Sequence, residues 1–197
     1  MNEKLIEQGF YATGPATIAS VSTYLEMRAA PPLAAFANDP AIRPARLDAA
    51  SYRKLFLAVG ADYLWVDHAR RGDDELRAIL TDDAIETWTV EADGAVAGFA
   101  MLDFREAEIC ELRYFGLVRA AIGCGLGHRL LHVAIARAFA RPIRRFWVRT
   151  STLDHPAALP LYVRAGFTPY KRHVSVSPDP RLTGLLPRDA APQIAIL

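Results

Sequence analysis

Leu117-Val118-Arg119-Ala120-Ala121-Ile122-Gly123-Cys124-Gly125-Leu126-Gly127-His128-Arg129-Leu130-Leu131 places three glycines at alternate positions, between a strand-like run and a helical one. After the turn, Leu130, Leu131, Ala134, Ile135 and Ala138 keep one helical face. Such a turn exposes successive backbone N–H groups, and the helix start adds a partial positive charge. Together they suit an anion, above all a phosphate, and glycine lets that anion approach the amides closely. A tight strand–helix turn with no ligand is the plainer alternative. The spacing is Gly-x-Gly-x-Gly rather than the Gly-x-Gly-x-x-Gly of dinucleotide folds, and His128 stands where a phosphate loop has lysine. A pyrophosphate seat of another kind is what the spacing leaves.

Upstream, Ser20–Arg28 alternates as a strand and is stopped by Pro31 and Pro32. A connection with Pro40 and Pro44 leads to a helix opening near Asp48. Tyr52, Leu55, Phe56 and Val59 form its apolar face, and Gly60 ends it. A second short helix starts at Asp73 or Asp74, with Leu76, Ile79 and Leu80 inward. Strands over Ile85–Ala92 and Ala95–Phe104 meet at Asp93-Gly94 as a tight hairpin. A third strand, Ala107–Leu117, enters the glycine turn, and the helix beyond runs to about Ala140. Downstream come a strand over Arg144–Thr150, a helix capped by Asp154 or His155 and ending at Gly166, and a strand over Phe167–Val176. Hairpins come first and strand–helix alternation later. The fold class is therefore α/β (α+β), a mixed and mostly antiparallel sheet with flanking helices, not a wholly parallel one.

The 197 residues carry 23 Lys+Arg against 22 Asp+Glu, a net charge of +1, with 52% hydrophobic residues. At roughly 150 residues per domain this predicts one domain. The expected division is an arm over 1–19, a domain over 20–176, and a Pro-rich tail over 177–197 packed on it. The balanced charge argues against nucleic acid as a partner. No apolar run approaches the ~20 residues that span a bilayer, and the Met1-Asn2-Glu3-Lys4 start lacks a secretory pattern. A cytoplasmic protein with no membrane partner is the expectation. Exposed strands and the tail permit a homodimer without requiring one.

Downstream stands Asp154-His155-Pro156-Ala157-Ala158-Leu159-Pro160-Leu161-Tyr162-Val163-Arg164-Ala165-Gly166-Phe167. With the glycine turn, this stretch resembles the GNAT superfamily of acetyl-CoA-dependent N-acyltransferases. The family's Gln/Arg-x-x-Gly-x-Gly/Ala motif falls on Ile122–Gly127, with Gly125 and Gly127 matching and Ile122 departing. Its Asn-x-x-Ala-x-x-Leu-Tyr-x-x-x-Gly-Phe pattern falls on His155–Phe167. Ala158, Leu161, Tyr162, Gly166 and Phe167 match there, while His155 replaces Asn. The likeness covers about Val21–Val176.

The resemblance implies transfer of an acetyl group from acetyl-CoA (coenzyme A) to a primary amine, by direct attack in a ternary complex. It implies a coenzyme seat at Ile122, Gly123, Cys124, Gly125, Leu126, Gly127, His128, Arg129 and His155. Arg119, His128 or Arg129 would make up for the side chain missing at Ile122. A bulge near Gly116 would turn the amide of Leu117 or Val118 toward the acetyl carbonyl as an oxyanion donor. Tyr162 is the expected general acid for the departing thiolate, with a buried core tyrosine as the alternative. Glu111 is the expected base. Alternation puts Ile109, Glu111, Arg113, Phe115 and Leu117 on one face, where Glu111 either serves the amine or simply pairs with Arg113. Tyr63, Trp65 and Asp67, with His68 beside them, are the expected acceptor-binding segment, or core filling beneath the helices. A non-catalytic acyl-CoA-binding sensor on the same fold is the competing function.

No metal is expected: His128 and His132 are four apart on a helix, but Arg129 occupies the position where zinc hydrolases carry glutamate. Cys110 and Cys124 have no base partner in the sequence that would make either a nucleophile.

Overall fold

The computed structural model describes residues 5–32 and 39–197; the first four residues of the expected arm lie outside it. Seven strands form one sheet: β1 (Thr17–Met27), β2 (Ile42–Pro44), β3 (Ile85–Ala92), β4 (Ala95–Asp103), β5 (Ile109–Leu117), β6 (Arg145–Ser151) and β7 (Thr168–Pro178). Among the described residues, four α-helices accompany them: α1 (Ala49–Gly60), α2 (Asp73–Leu80), α3 (Leu126–Phe139) and α4 (Ala158–Arg164). The strand order is β2-β3-β4-β5-β6-β1-β7. Every neighbouring pair is antiparallel except β5 and β6, which run parallel.

Local chemistry accounts for most boundaries. Asp48 caps α1 by accepting the Ser51 amide at 2.8 Å, a contact worth about 1 kcal/mol. Asp93 and Gly94, at φ of 50° and 76°, supply the two left-handed residues that a two-residue hairpin needs. Two expectations shift. The edge strand β2 goes unseen in the sequence because prolines flank it, yet Ile42 pairs with Val90 and is buried. Helix α4 starts at Ala158, without a side-chain cap. Asp154 is occupied elsewhere, accepting from the Ser151 amide at 2.7 Å and the Thr150 hydroxyl at 3.0 Å.

Helix α3 packs on one face of the sheet, where Leu130, Leu131, Ala134 and Ile135 meet Ala100, Leu112, Phe146 and Val148. Each fully buried leucine contributes about 1.5–3 kcal/mol. Helices α1 and α2 cover part of the other face through Tyr52, Phe56, Val59 and Leu76 against Phe99 and Met101. The tail after β7 runs through a series of turns. It folds back on that second face, with Leu186, Ala190 and Ala191 against Ile18 and Leu64. The buried Arg181 anchors it, pairing with Asp179 at 2.7 Å and donating to the carbonyl of Ile194 at 2.8 Å. Among the described residues, no helix is long and apolar enough to cross a membrane.

His68, in the α1–α2 connection, is fully buried with Nδ1 2.8 Å from the Tyr52 hydroxyl. Burial, reinforced by the charges of Arg113 and Arg71, lowers its pKa to about 4. An unfolded histidine titrates near ~6.5. As pH falls through that window the unfolded chain gains a proton that the folded chain refuses, so stability is lost on acidification. The unfolding free energy from urea titrations should therefore drop between pH 7 and pH 5, by up to about 1.4 kcal/mol per pH unit from this group. The His68→Leu variant should show a shallower drop; an identical one would contradict the assignment.

Candidate active site

Strands β5 and β6 pair only over Ile109–Leu112 and Arg145–Val148. Opposite β4, Leu112 faces Leu102 but Tyr114 faces Met101, so Arg113 is an extra residue, a bulge. Beyond it β5 follows β4 to Leu117, while β6 follows β1 to Ser151. The two strands part, and a cavity of about 730 Å³ lies at the opening, reaching both faces of the sheet.

On the α3 side, the cavity is lined by Ile122, Gly123, Gly125, Gly127 and His128. Gly123 and Gly125 sit at φ of 89° and 78°, and a β-carbon on either would point into open space. Glycine is thus required there by backbone conformation, and the concavity beside it is left clear. The first α-helical bond of α3 runs from the Arg129 amide to the Gly125 carbonyl. The amides of Leu126 and Gly127 precede it, in the first turn, where helix geometry offers no intrahelical acceptor. Four expected contacts fall outside the lining. Cys124 is exposed without lining the cavity, and Leu126 turns into the core. Arg129 is held by Asp39 at 2.6 Å, and the Val118 amide donates to the Ala97 carbonyl at 2.8 Å. Arg119, offered as a substitute phosphate ligand, pairs with Asp62 at 2.7 Å. His155 does line the cavity, its Nδ1 accepting from the Ala157 amide at 3.1 Å.

Gly116 is not the bulge. It pairs in register with Phe99, and its missing side chain makes room for Val59, whose Cγ1 would lie 2.4 Å from an added β-carbon. The bulge lies three residues earlier, at Arg113. Because the Val118 amide points to β4, alternation along the antiparallel pair turns the Leu117 amide away from β4, toward the opening. Tyr162, on α4, lines the same opening and is only 4% exposed. Its ring meets Phe115 edge-on at 5.9 Å, and among the described residues nothing hydrogen-bonds its hydroxyl. Burial pushes its pKa well above that of a free phenol.

The bulge also changes which residues share a face. Glu111 pairs with Asp103 and lies on the α1 side, whereas Phe115 and Leu117 lie on the α3 side, so simple alternation fails at Arg113. Glu111 lines the cavity and meets Arg113 at 3.1 Å. Burial raises its pKa, with the Arg113 charge opposing. Tyr63, Trp65 and Asp67 wall the α1 side. Trp65 also packs against the α1 core and donates from Nε1 to Asp154 at 3.0 Å, so wall and core are one. His68 lies behind them and does not line the cavity. Sequence reading missed Ser20, Ser22, Ser175 and Ser177, which also line it, together with Pro180, Thr183 and Leu185 of the tail. Their alternation was legible as strand; their convergence depends on β1 pairing with β7 across the chain, as in the 2.9 Å contact of the Ser20 and Ser175 hydroxyls.

The sequence profile of the Acetyltransferase (GNAT) family matches residues 51–167. The chain belongs to that family. No curated protein sequence matches it. Among solved structures, this GNAT chain is similar to a GNAT-family protein from Novosphingobium aromaticivorans, with a TM-score of 0.58 and 22% identity over 87% of this chain and 72% of that one. A GCN5-related N-acetyltransferase from Sphaerobacter thermophilus gives 0.56 and 15%, over 82% of this chain and 52% of that one. The chain thus spans about half the length of the Sphaerobacter protein. An aminoglycoside acetyltransferase from an uncultured soil metagenomic sample gives 0.52 and 13%, over 66% and 90%. These likenesses establish the fold. The GNAT profile match begins inside α1 and ends before β7, so β1, β7 and the tail bring cavity walls from outside it.

The account of Gly116 can be tested directly. Gly116→Ala forces a β-carbon into Val59 and should cost about 1–3 kcal/mol. Adding Val59→Ala should recover part of that loss, read as thermal unfolding midpoints in a double-mutant cycle. Strict additivity of the two changes would contradict the contact.

Proposed function

We propose that the chain is an N-acetyltransferase of the cytoplasm that moves an acetyl group from acetyl-CoA to a primary amine, by direct attack within a ternary complex. The observation that carries the reading is the parting of β5 and β6 beside the glycine turn, with the Leu117 amide and the Tyr162 hydroxyl both facing the opening. Acetyl-CoA, when bound, supplies the acetyl group as an activated thioester. The residues present fit it. The amide-rich start of α3 at Leu126 and Gly127 and the cleared concavity at Gly123 and Gly125 suit a pyrophosphate. Ile122, half-exposed on the lining, offers apolar contact only.

The chain's own groups divide the work. The Leu117 amide is a fixed donor for a carbonyl oxygen that becomes negative during attack. Glu111 takes the proton that the amine must lose. An amine with a pKa of ~10.4 is only ~0.1% neutral near pH 7.4, a cost of about 4 kcal/mol. A carboxylate with a raised pKa is a better base than an exposed one. Tyr162 holds a proton at neutral pH and gives it to the departing sulfur. A thiolate formed in so buried a place has its own pKa raised, which narrows the mismatch with the phenol. One N–C bond forms and one C–S bond breaks. The ammonium loses two protons in all: the first passes through Glu111 to solvent before attack, and the second passes through Glu111 and solvent to the phenolate, replacing the phenol proton given to sulfur.

Thiol release from acetyl-CoA across an amine panel tests this. Tyr162→Phe should cut kcat by 10²–10⁴-fold while acetyl-CoA binding by calorimetry stays near native. Undiminished turnover would remove Tyr162 from the mechanism. Saturable binding with no thiol release for any amine would favour the non-catalytic acyl-CoA sensor.

A further inference from the structure

On the α1 side the cavity's charges balance in number, with Asp67, Glu111 and Asp154 against three arginines, but they do not pair one to one. Three arginines line it, Arg70, Arg113 and Arg149. Arg70 lies 3.5 Å from Asp67, and Arg113 lies 3.1 Å from Glu111 and 3.6 Å from Asp103. Arg149 is exposed and, among the described residues, makes no hydrogen bond or ion pair. Asp154 is not available to it, because its carboxylate already accepts from Trp65, Thr150 and Ser151.

The strand register locates Arg149. Glu111 pairs with Trp147 across β5 and β6, and Arg149 follows two residues along β6, on the same face. With ~4.8 Å between strands and ~6.7 Å for two residues, the Cα atoms of Glu111 and Arg149 stand about 8 Å apart. Their side chains rise from one surface, a carboxylate and a guanidinium side by side. The Arg149 charge reaches Glu111, where it acts against the effect of burial. Each of the other two arginines already faces a carboxylate; Arg149 offers its planar fork outward.

An acceptor whose amine meets Glu111 therefore finds an unneutralised guanidinium close by. A polyamine would bring a second cation toward it. A free α-amino acid would bring a carboxylate, the group that an arginine fork binds in bidentate fashion. The surface beyond could receive its side chain. Tyr24, the partner of Arg149 across β1 and β6, stacks on Trp147 at 5.9 Å, and Trp147 walls a second cleft that shares Glu111.

We propose that the acceptor is a free α-amino acid, its amine directed to Glu111 and its carboxylate held by Arg149. The proposal rests on the transferase reading above. With the full chain and acetyl-CoA, thiol release should be compared for amino acids, their α-carboxamides, dipeptides and spermidine. Amino acids should exceed their amides in kcat/KM at least tenfold, mainly through KM. Arg149→Gln should bring acid and amide together, and Arg149→Lys should restore part of the difference. Amides, dipeptides or spermidine used as well as the acids would overturn the proposal, as would an Arg149→Gln variant that keeps the native preference. A titration of amino acids into the protein loaded with coenzyme A needs no turnover. Binding that is lost in Arg149→Gln is expected, and no binding to the native protein would overturn the proposal. Should thiol release fail with every amine while that binding persists, it is the transferase reading that falls.

Discussion

Arg113 is one residue more than β5 needs to keep step with β4, and the consequences of that residue run through the molecule. Up to Leu112, β5 holds β6 by parallel pairing; after the bulge it cannot, and each strand keeps only its outer neighbour. The unpaired stretch leaves strand backbone facing an opening, an arrangement that would be costly if it were dry and sealed. Here the opening is a cavity, so the free Leu117 amide is available rather than orphaned. The same bulge moves Glu111 to the face opposite Phe115 and Leu117. Glu111, the proposed base, thus stands on the α1 side, and the glycine turn and Tyr162 lie on the α3 side, joined through the parted strands.

Much of the cavity wall on the α1 side comes from parts of the chain outside the family match. Strand β1 is an interior strand: β6 and β7 both pair with it and not with each other. It brings Ser20 and Ser22 to the cavity, and β7 brings Ser175 and Ser177. The tail closes that end through Pro180, Thr183 and Leu185, held by the buried Asp179–Arg181 pair. Breaking such a pair strands a charge in the interior, which makes the tail's position well determined. A wall built from chain segments that the shared fold does not prescribe is suited to setting specificity.

What could be read in advance followed the range of the interactions concerned. The glycine turn, the α3 face, the Asp48 cap and the Asp93-Gly94 hairpin are decided by neighbours within a few residues, and the sequence displays them. The mixed, mostly antiparallel sheet followed from their order. The bulge did not, because Ile109 to Leu117 alternates without interruption on paper and only the register against β4 shows the extra residue. For the same reason the sequence points to Gly116 as the bulge rather than Arg113; the role of Gly116, clearing space for Val59, depends on how α1 packs. Asp154 sits in sequence where a helix cap belongs, but three donors occupy its carboxylate, one of them Trp65 from a distant loop. Arg129 and Arg119 looked like phosphate ligands, but Asp39 and Asp62 hold them.

The central claim is that the parted strands seat the coenzyme. A crystal structure of the protein with acetyl-CoA tests it most directly. The account predicts the pyrophosphate at the turn around Gly123–His128 and the thioester end between β5 and β6, near the Leu117 amide and the Tyr162 hydroxyl. Coenzyme bound on another surface, with β5 and β6 unoccupied between Leu117 and Arg149, would contradict it.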